Sequence, residues 1–168
     1  MENRGKIHYK GEQFEIVREY QDKYIVSVRI DIKTKKLLVI LPKNIQEFEV
    51  KEYVDKSIKQ LFKNNTEALI LEKLPYWSKK TNLKYNVVKV RDATTRYGSC
   101  MPSKRNLYFS SRLIMLPENI IDAIIVHELC HLKFKNHNKD FYSLVEQYIP
   151  DYKEIDKWLK QNGKIIMF

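Results

Sequence analysis

Cysteine is almost missing from this 168-residue chain, and several classes of protein go with it. Two cysteines, Cys100 and Cys130, make no disulfide framework, so packing must hold the fold. Glycine is nearly as scarce, at four residues, and no Gly-rich phosphate loop opens any helix. No apolar run approaches the ~18 residues of a membrane span. The opening Met1-Glu2-Asn3-Arg4-Gly5-Lys6 has no apolar h-region. The expectation is therefore a cytoplasmic chain with reduced thiols. Internal repeats and low-complexity tracts are also missing. What is present, 43% hydrophobic residues over this length, is enough for one compact unit with a substantial core.

Acids are few in one place. Between Lys79 and Arg112 stand nine Lys or Arg against a single acid, Asp92, a local excess of +8 out of a formal +10 for the whole chain. Four of the seven arginines, Arg91, Arg96, Arg105 and Arg112, fall here. Arginine suits bidentate contacts to carboxylate or phosphate, so the segment predicts an anionic partner such as nucleic acid or a nucleotide. A solvated charged face in a Lys-, Asn- and Ile-rich chain is the equal alternative.

Hydrophobic patterning divides the chain into a β-rich N-terminal lobe, 1–43, and a mainly helical lobe, 44–168, within one domain. Residues 6–41 alternate apolar and polar positions, as in Phe14-Glu15-Ile16-Val17-Arg18, with breaks at Lys10-Gly11-Glu12 and 31–36. That predicts a β-meander of four short strands. Helices are expected over 44–63 and 66–81, the second capped by Thr66 and kinked or broken at Pro75. A strand over 85–91 follows, then a hairpin of strands near 97–99 and 106–110 across Met101-Pro102-Ser103-Lys104-Arg105. The last helix starts at Asp151, stops at Gly163 and leaves an apolar tail, Ile165-Ile166-Met167-Phe168.

Between these lies His127-Glu128-Leu129-Cys130-His131. On a helix, histidines four apart project about 40° from each other, so both imidazoles reach one metal ion. Glu128 lies about 100° around from His127, near enough to take a proton from water activated by that ion. Random placement of this composition gives the pattern in roughly 1% of chains, which favours metal chemistry over coincidence. The helix is expected over 117–134: Pro117 suits its first turn, Glu118 the positive end of its dipole, and Ile120 to Val126 is apolar on nearly every side. Satisfied core histidines are the alternative. Cys130 points away from Glu128 and is expected in the core.

A catalytic zinc takes three protein ligands and leaves one position open. His137 is the preferred third ligand, because three of the four histidines lie within 11 residues. Glu146 or Glu154, from a following helix, would replace it in a different arrangement. Asp140 is either a carboxylate that orients a ligand imidazole or the first-turn acid of a helix capped by Asn138.

Arg96-Tyr97-Gly98-Ser99-Cys100, Asn106-Leu107-Tyr108-Phe109, Arg112-Leu113, Pro117, the HELCH string, Asn136-His137-Asn138, Phe141 and Pro150-Asp151-Tyr152 through Trp158-Leu159 together resemble the YgjP-like zinc metallopeptidase family, related to the SprT and WLM zincins. The resemblance is specific from about Arg91 to Leu159; before residue 60 it extends to β-rich character only. It implies an α+β, zincin-like fold with a short antiparallel sheet beside the HExxH helix, one Zn²⁺ on His127, His131 and His137, and Glu128 as general base. Tyr97 stands where the family usually has Trp, so an aromatic is kept and an indole N–H is lost.

Two enzyme readings and one binding reading follow. In a metallopeptidase, Glu128 serves the attack on a peptide carbonyl, with oxyanion help from Arg96, Tyr97, Arg112 or Tyr142. The family has also been assigned nucleotide phosphohydrolase activity, which the basic block suits and the shortage of carboxylates for Mg²⁺ does not. A non-catalytic nucleic-acid module would need a closed four-ligand zinc and has no use for Glu128.

Overall fold

The computed structural model describes residues 5–166 as an α+β protein of two small sheets arranged around three packed helices and a fourth that closes them. The expected starting segment through Arg4 and the tail residues Met167 and Phe168 lie outside the described residues. The first sheet contains β1 (Lys6–Tyr9), β2 (Glu12–Gln21), β3 (Ser27–Asp31) and β4 (Lys36–Pro42). Four strands are present as expected, but they do not form a meander. Their order is β1-β2-β4-β3, two antiparallel pairs joined by a parallel β2–β4 contact. β4 is buried at five of its seven positions, which makes it the natural centre of the sheet, whereas β3 exposes Arg29 and takes the edge.

One helix follows where two were expected. α1 runs unbroken from Glu47 to Thr81, about 52 Å at 1.5 Å per residue. The stretch Asn64-Asn65-Thr66 looks like a helix break because these side chains compete for backbone groups. Here each is satisfied elsewhere. Asn64 accepts from Gln60 Nε2 at 2.7 Å, Asn65 donates to the Tyr9 hydroxyl at 3.2 Å, and Thr66 Oγ1 donates to the Ser111 carbonyl at 2.8 Å. Thr66 is therefore a buried strut and no cap. Pro75 removes one N–H, yet the carbonyl it leaves, on Leu71, belongs to an exposed residue that water can reach. Asn82, at φ 55°, ends the helix in the left-handed conformation, with Lys79 and Lys80 in the last turn.

The second sheet is built from β5 (Val87–Arg91), β6 (Gly98–Met101) and β7 (Asn106–Ser110), in the order β5-β7-β6. The expected hairpin forms: β6 and β7 pair antiparallel, joined by a 3-10 turn at Pro102–Lys104. The sheet as a whole is mixed, because β5 joins β7 in parallel. Leu107 and Phe109 are completely buried beneath it. A 3-10 segment, Ser111–Met115, then leads into α2 (Glu118–Cys130).

α2 is apolar on nearly every face and sits in the main core among residues of both sheets, including Ile7, Phe14, Leu37 and Phe109. Two devices fix its position. The Lys10–Gly11 turn donates its amides to the carbonyls of Ile114 and Met115, at 2.7 and 3.0 Å. Gly11, at φ 81°, lies so close to Pro117 that a Cβ there would be 2.7 Å from the proline ring. On the other side, Asp122 accepts from Trp77 Nε1 at 2.8 Å and from Lys73 Nζ, which also reaches Glu118 at 2.7 Å. Pro117 stands at the N-cap, just outside the first turn in which it was expected, and the α-helix ends at Cys130, short of residue 134.

Two helices complete the chain. α3 (Lys139–Tyr148) is capped by Asn138, whose side chain accepts from Phe141 N at 2.9 Å. α4 spans Tyr152–Ile166 and continues through Gly163, which does not stop it. Among the described residues, no helix is long and apolar enough to cross a membrane.

Candidate metal centre

Where α2 ends, the chain turns tightly. Lys133 N and Phe134 N both meet the Cys130 carbonyl at 3.0 Å, and this brings His137 back beneath the helix. His127, His131 and His137 then present nitrogens that all lie within 4.8 Å of one another. His127 Nε2 is 3.1 Å from His131 Nε2 and 3.1 Å from His137 Nε2. Zinc–nitrogen bonds of about 2.0–2.1 Å in tetrahedral geometry separate ligand nitrogens by about 3.3–3.4 Å, within a few tenths of an ångström of the spacing here, so the three rings can share such an ion.

The outer nitrogens explain how the rings are held. His131 Nδ1 lies 3.0 Å from the Phe134 carbonyl, which can only accept. That nitrogen must carry the proton, leaving Nε2 as a bare lone pair toward the other two imidazoles. His127 Nδ1 lies 2.6 Å from the hydroxyl of Tyr152, in the first turn of α4. Phe141, fully buried, packs its ring within 4.9 Å, centre to centre, of all three imidazoles. Burial, and then the neighbouring His131 and His137, hold His127 down at about 3, and burial also lowers His131. Both rings stay neutral at physiological pH, as metal ligands must.

Glu128 is 6% exposed and faces β6. A Cβ on Gly98 would lie 2.6 Å from its Oε1 and 2.7 Å from its Cγ, so only glycine lets the strand approach this closely. Burial pushes the carboxyl up to about 8, with Arg96 pulling the other way. Its Oε2 is buried without a hydrogen-bond partner. A buried carboxyl oxygen without a partner, on the residue next to His127, is costly in an apolar setting unless a cation or its water is bound. The donor set therefore fits a metal.

The other expected residues divide. Tyr142 stacks on His137, ring centres 6.0 Å apart. Arg96 is exposed and electrostatically coupled to Glu128. Tyr97 donates its hydroxyl to the Gly163 carbonyl at 3.2 Å, tying the loop before β6 to α4. Arg112 turns toward Asp92, at 3.7 Å. Glu146 faces Lys153, at 3.5 Å, and Glu154 is exposed in the first turn of α4, so neither joins the histidines. Asp140 takes the second of its two expected roles: it lies exposed in the first turn of α3, and the imidazoles meet Tyr152 and the Phe134 carbonyl. Cys100 faces the site from β6, but burial and Glu128 push its thiol up to about 12, and Cys130 is fully buried.

Gly98 and Tyr152 carry functions that sequence reasoning missed. Gly98 had a signal, a glycine inside a strand of a chain with only four. Tyr152 falls within the motif that carries the family resemblance, but no local pattern points to its contact with His127, which spans 25 positions.

A helix-borne histidine pair, a third histidine from the following turn and a buried glutamate define a metal-dependent hydrolase. Within that class, the chain belongs to the YgjP-like family: the family model for the YgjP-like metallopeptidase domain matches residues 1–162. It is 31% identical over 90 residues to a UTP pyrophosphatase of Escherichia coli (strain K12), covering 51% of this chain and 54% of that protein. The chain thus spans about half the length of the curated relative it matches. Two solved structures are similar to 55% of this chain. The abylysin zymogen of Pyrococcus abyssi is a metallopeptidase with 22% identity over 93% of its chain, at a TM-score of 0.49. The jannalysin zymogen of Methanocaldococcus jannaschii, also a metallopeptidase, has 20% identity over 94% of its chain, at a TM-score of 0.49.

Proposed function

We propose that the chain is a zinc-dependent metallopeptidase in which His127, His131 and His137 hold one zinc ion and Glu128 is the general base. The observation that carries this reading is the convergence of three imidazole nitrogens beside the unpartnered Glu128 carboxylate, next to the free edge of β6. Zinc at this position would supply Lewis acidity to a substrate carbonyl and a water of lowered pKa. Glu128 takes a proton from the attacking water as the new C–O bond forms, then gives it to the amine as the C–N bond breaks. Its raised affinity for protons suits both halves of that transfer.

β6 hydrogen-bonds only to β7 among the described strands, so its outer edge is open to an extended peptide. Tyr142, stacked on His137, and Arg96, near Glu128, are the residues best placed to stabilise negative charge developing on the substrate. Tyr97 and Arg112, engaged with Gly163 and Asp92, are better read as supports of the loop.

One observation favours a second reading, nucleotide phosphohydrolysis: the half-length likeness to the E. coli UTP pyrophosphatase. Metal analysis and paired assays on wild type and Glu128→Gln separate the two. The peptidase reading expects about one zinc per chain, cleavage of an unstructured protein such as casein, and a loss of at least about 10³-fold in the variant. UTP hydrolysis without casein cleavage would replace it by the second reading. Undiminished activity in Glu128→Gln would remove the general base from both.

A further inference from the structure

The fold splits the basic segment three ways. Lys79 and Lys80 end α1, Arg96 is coupled to Glu128 and Arg112 turns to Asp92, and the rest lie on β5 (Lys89, Arg91) or in the turns beside it and β7 (Lys84, Lys104, Arg105). Strand register shows which face of the sheet carries them. Cα partners in neighbouring strands point to the same side. Val88, Leu107 and Cys100 form one row, and Val90, Phe109 and Gly98 the next. Both rows face the core and Glu128, because Leu107 and Phe109 are buried and a Cβ on Gly98 would strike the glutamate. The opposite face therefore carries the row Lys89, Tyr108, Ser99, with Arg91 one step along β5 and Asn106 one step along β7.

Lys89 and Arg91 are exposed, and no acid occurs anywhere in residues 84–91 or 98–110. The Arg91 guanidinium lies over the Tyr108 ring, 3.9 Å from its centre. Asn106 Nδ2 reaches the Tyr108 hydroxyl at 3.4 Å. Arg105, at the hairpin tip, is pinned by its Nε to the Lys84 carbonyl at 2.7 Å.

We propose that this outer face of the second sheet binds single-stranded nucleic acid, with the Arg91–Tyr108 pair as a platform for a base and Lys89 contacting phosphates. Three strands about 4.8 Å apart offer a platform about 10 Å wide, room for two or three unstacked bases. A guanidinium over an aromatic ring offers a face on which every nucleobase can stack, whereas a carboxylate or a lipid headgroup engages it through charge alone. Duplex is disfavoured because a flat sheet face offers neither a helix nor a projecting ribbon to enter a groove. The proposal is independent of the peptidase reading, since the metal centre lies behind the opposite face.

Fluorescence anisotropy on the full-length chain tests it, using 12-nucleotide oligo(dT), oligo(rU), a duplex of the same length and phosphatidylserine vesicles. The expected result is micromolar binding of one or both single strands at low salt, with log affinity falling against log salt at a slope of about −0.7 to −1.4, for one or two neutralised phosphates. Duplex should bind at least about tenfold more weakly. Lys89→Glu combined with Arg91→Glu should reduce binding by at least about tenfold, leaving zinc content and hydrolase activity unchanged. Arg91→Lys keeps the charge and loses the plane, so it should weaken single-strand binding about three- to tenfold. Tyr108→Leu should do the same, with melting temperature recorded to confirm folding. The proposal is overturned if duplex or vesicles bind as tightly as single strands, if the charge reversal has no effect, or if Arg91→Lys binds like wild type.

Discussion

Gly98 contributes to the metal centre by having no side chain. The Glu128 carboxyl fills the space that a Cβ on Gly98 would need. Gly98→Ala should therefore keep zinc, because no histidine moves, and yet lose about 10²-fold in turnover as the carboxylate shifts. Metal analysis beside kinetics checks this; a variant that loses zinc and activity together would point to general misfolding. Tyr152 works on the other side, through the 2.6 Å contact with His127. Tyr152→Phe should weaken zinc binding by about 10- to 100-fold in a chelator competition, with the fold retained. At this scale the histidines and Glu128 were legible in the sequence, because four-residue spacing on a helix is local geometry. His137 was legible by clustering. Tyr152 and the Phe134 carbonyl were not, since a hydrogen-bond partner brought in by tertiary packing leaves no periodicity behind.

Among the elements, α2 is the one whose position matters most, and Asp122 is its anchor to α1. The carboxylate takes a hydrogen bond from Trp77 and another from Lys73, whose side chain is 13% exposed. Asp122→Ala leaves the Trp77 indole N–H unpaired and Lys73 with Glu118 as its remaining partner, and should destabilise the protein by about 1–3 kcal/mol. Urea unfolding of the zinc-free protein measures this; a change below about 0.5 kcal/mol would mean that water replaces the carboxylate at no loss. The HExxH helix and the β6–β7 hairpin were legible because each is fixed by its own pattern and turn. The unity of α1 was not. Asn64, Asn65 and Thr66 read as a break, and only their distant partners, Tyr9 and Ser111 among them, turn them into interior helix residues. The parallel β2–β4 and β5–β7 contacts were hidden for the same reason: alternation gives strands, while pairing depends on what lies between them.

For the whole molecule, burying these groups makes stability depend on pH once zinc is stripped. Glu128, raised from 4.5 to about 8, is neutral in the fold while ionised in the unfolded chain, so its contribution is full below 4.5 and is lost as pH rises toward 8. His127, lowered from 6.5 to about 3, acts oppositely: its contribution is full above 6.5 and is lost as pH falls toward 3. The two oppose each other between 4.5 and 6.5, and only Glu128 acts from 6.5 to 8. The melting temperature of the chelator-treated protein should fall by roughly 5 °C or more over that upper window. Glu128→Gln should be flat there, and an equal fall in both proteins would assign the slope elsewhere. The α4 helix adds a matter of timing. It meets His127 through Tyr152 and the loop before β6 through Gly163, two contacts at opposite ends of one rod. During synthesis the HExxH segment leaves the ribosome well before either partner, so a nascent chain has its histidines without the brace that orients them. Zinc affinity should therefore reach its full value only after Tyr152 has been made and has packed against His127.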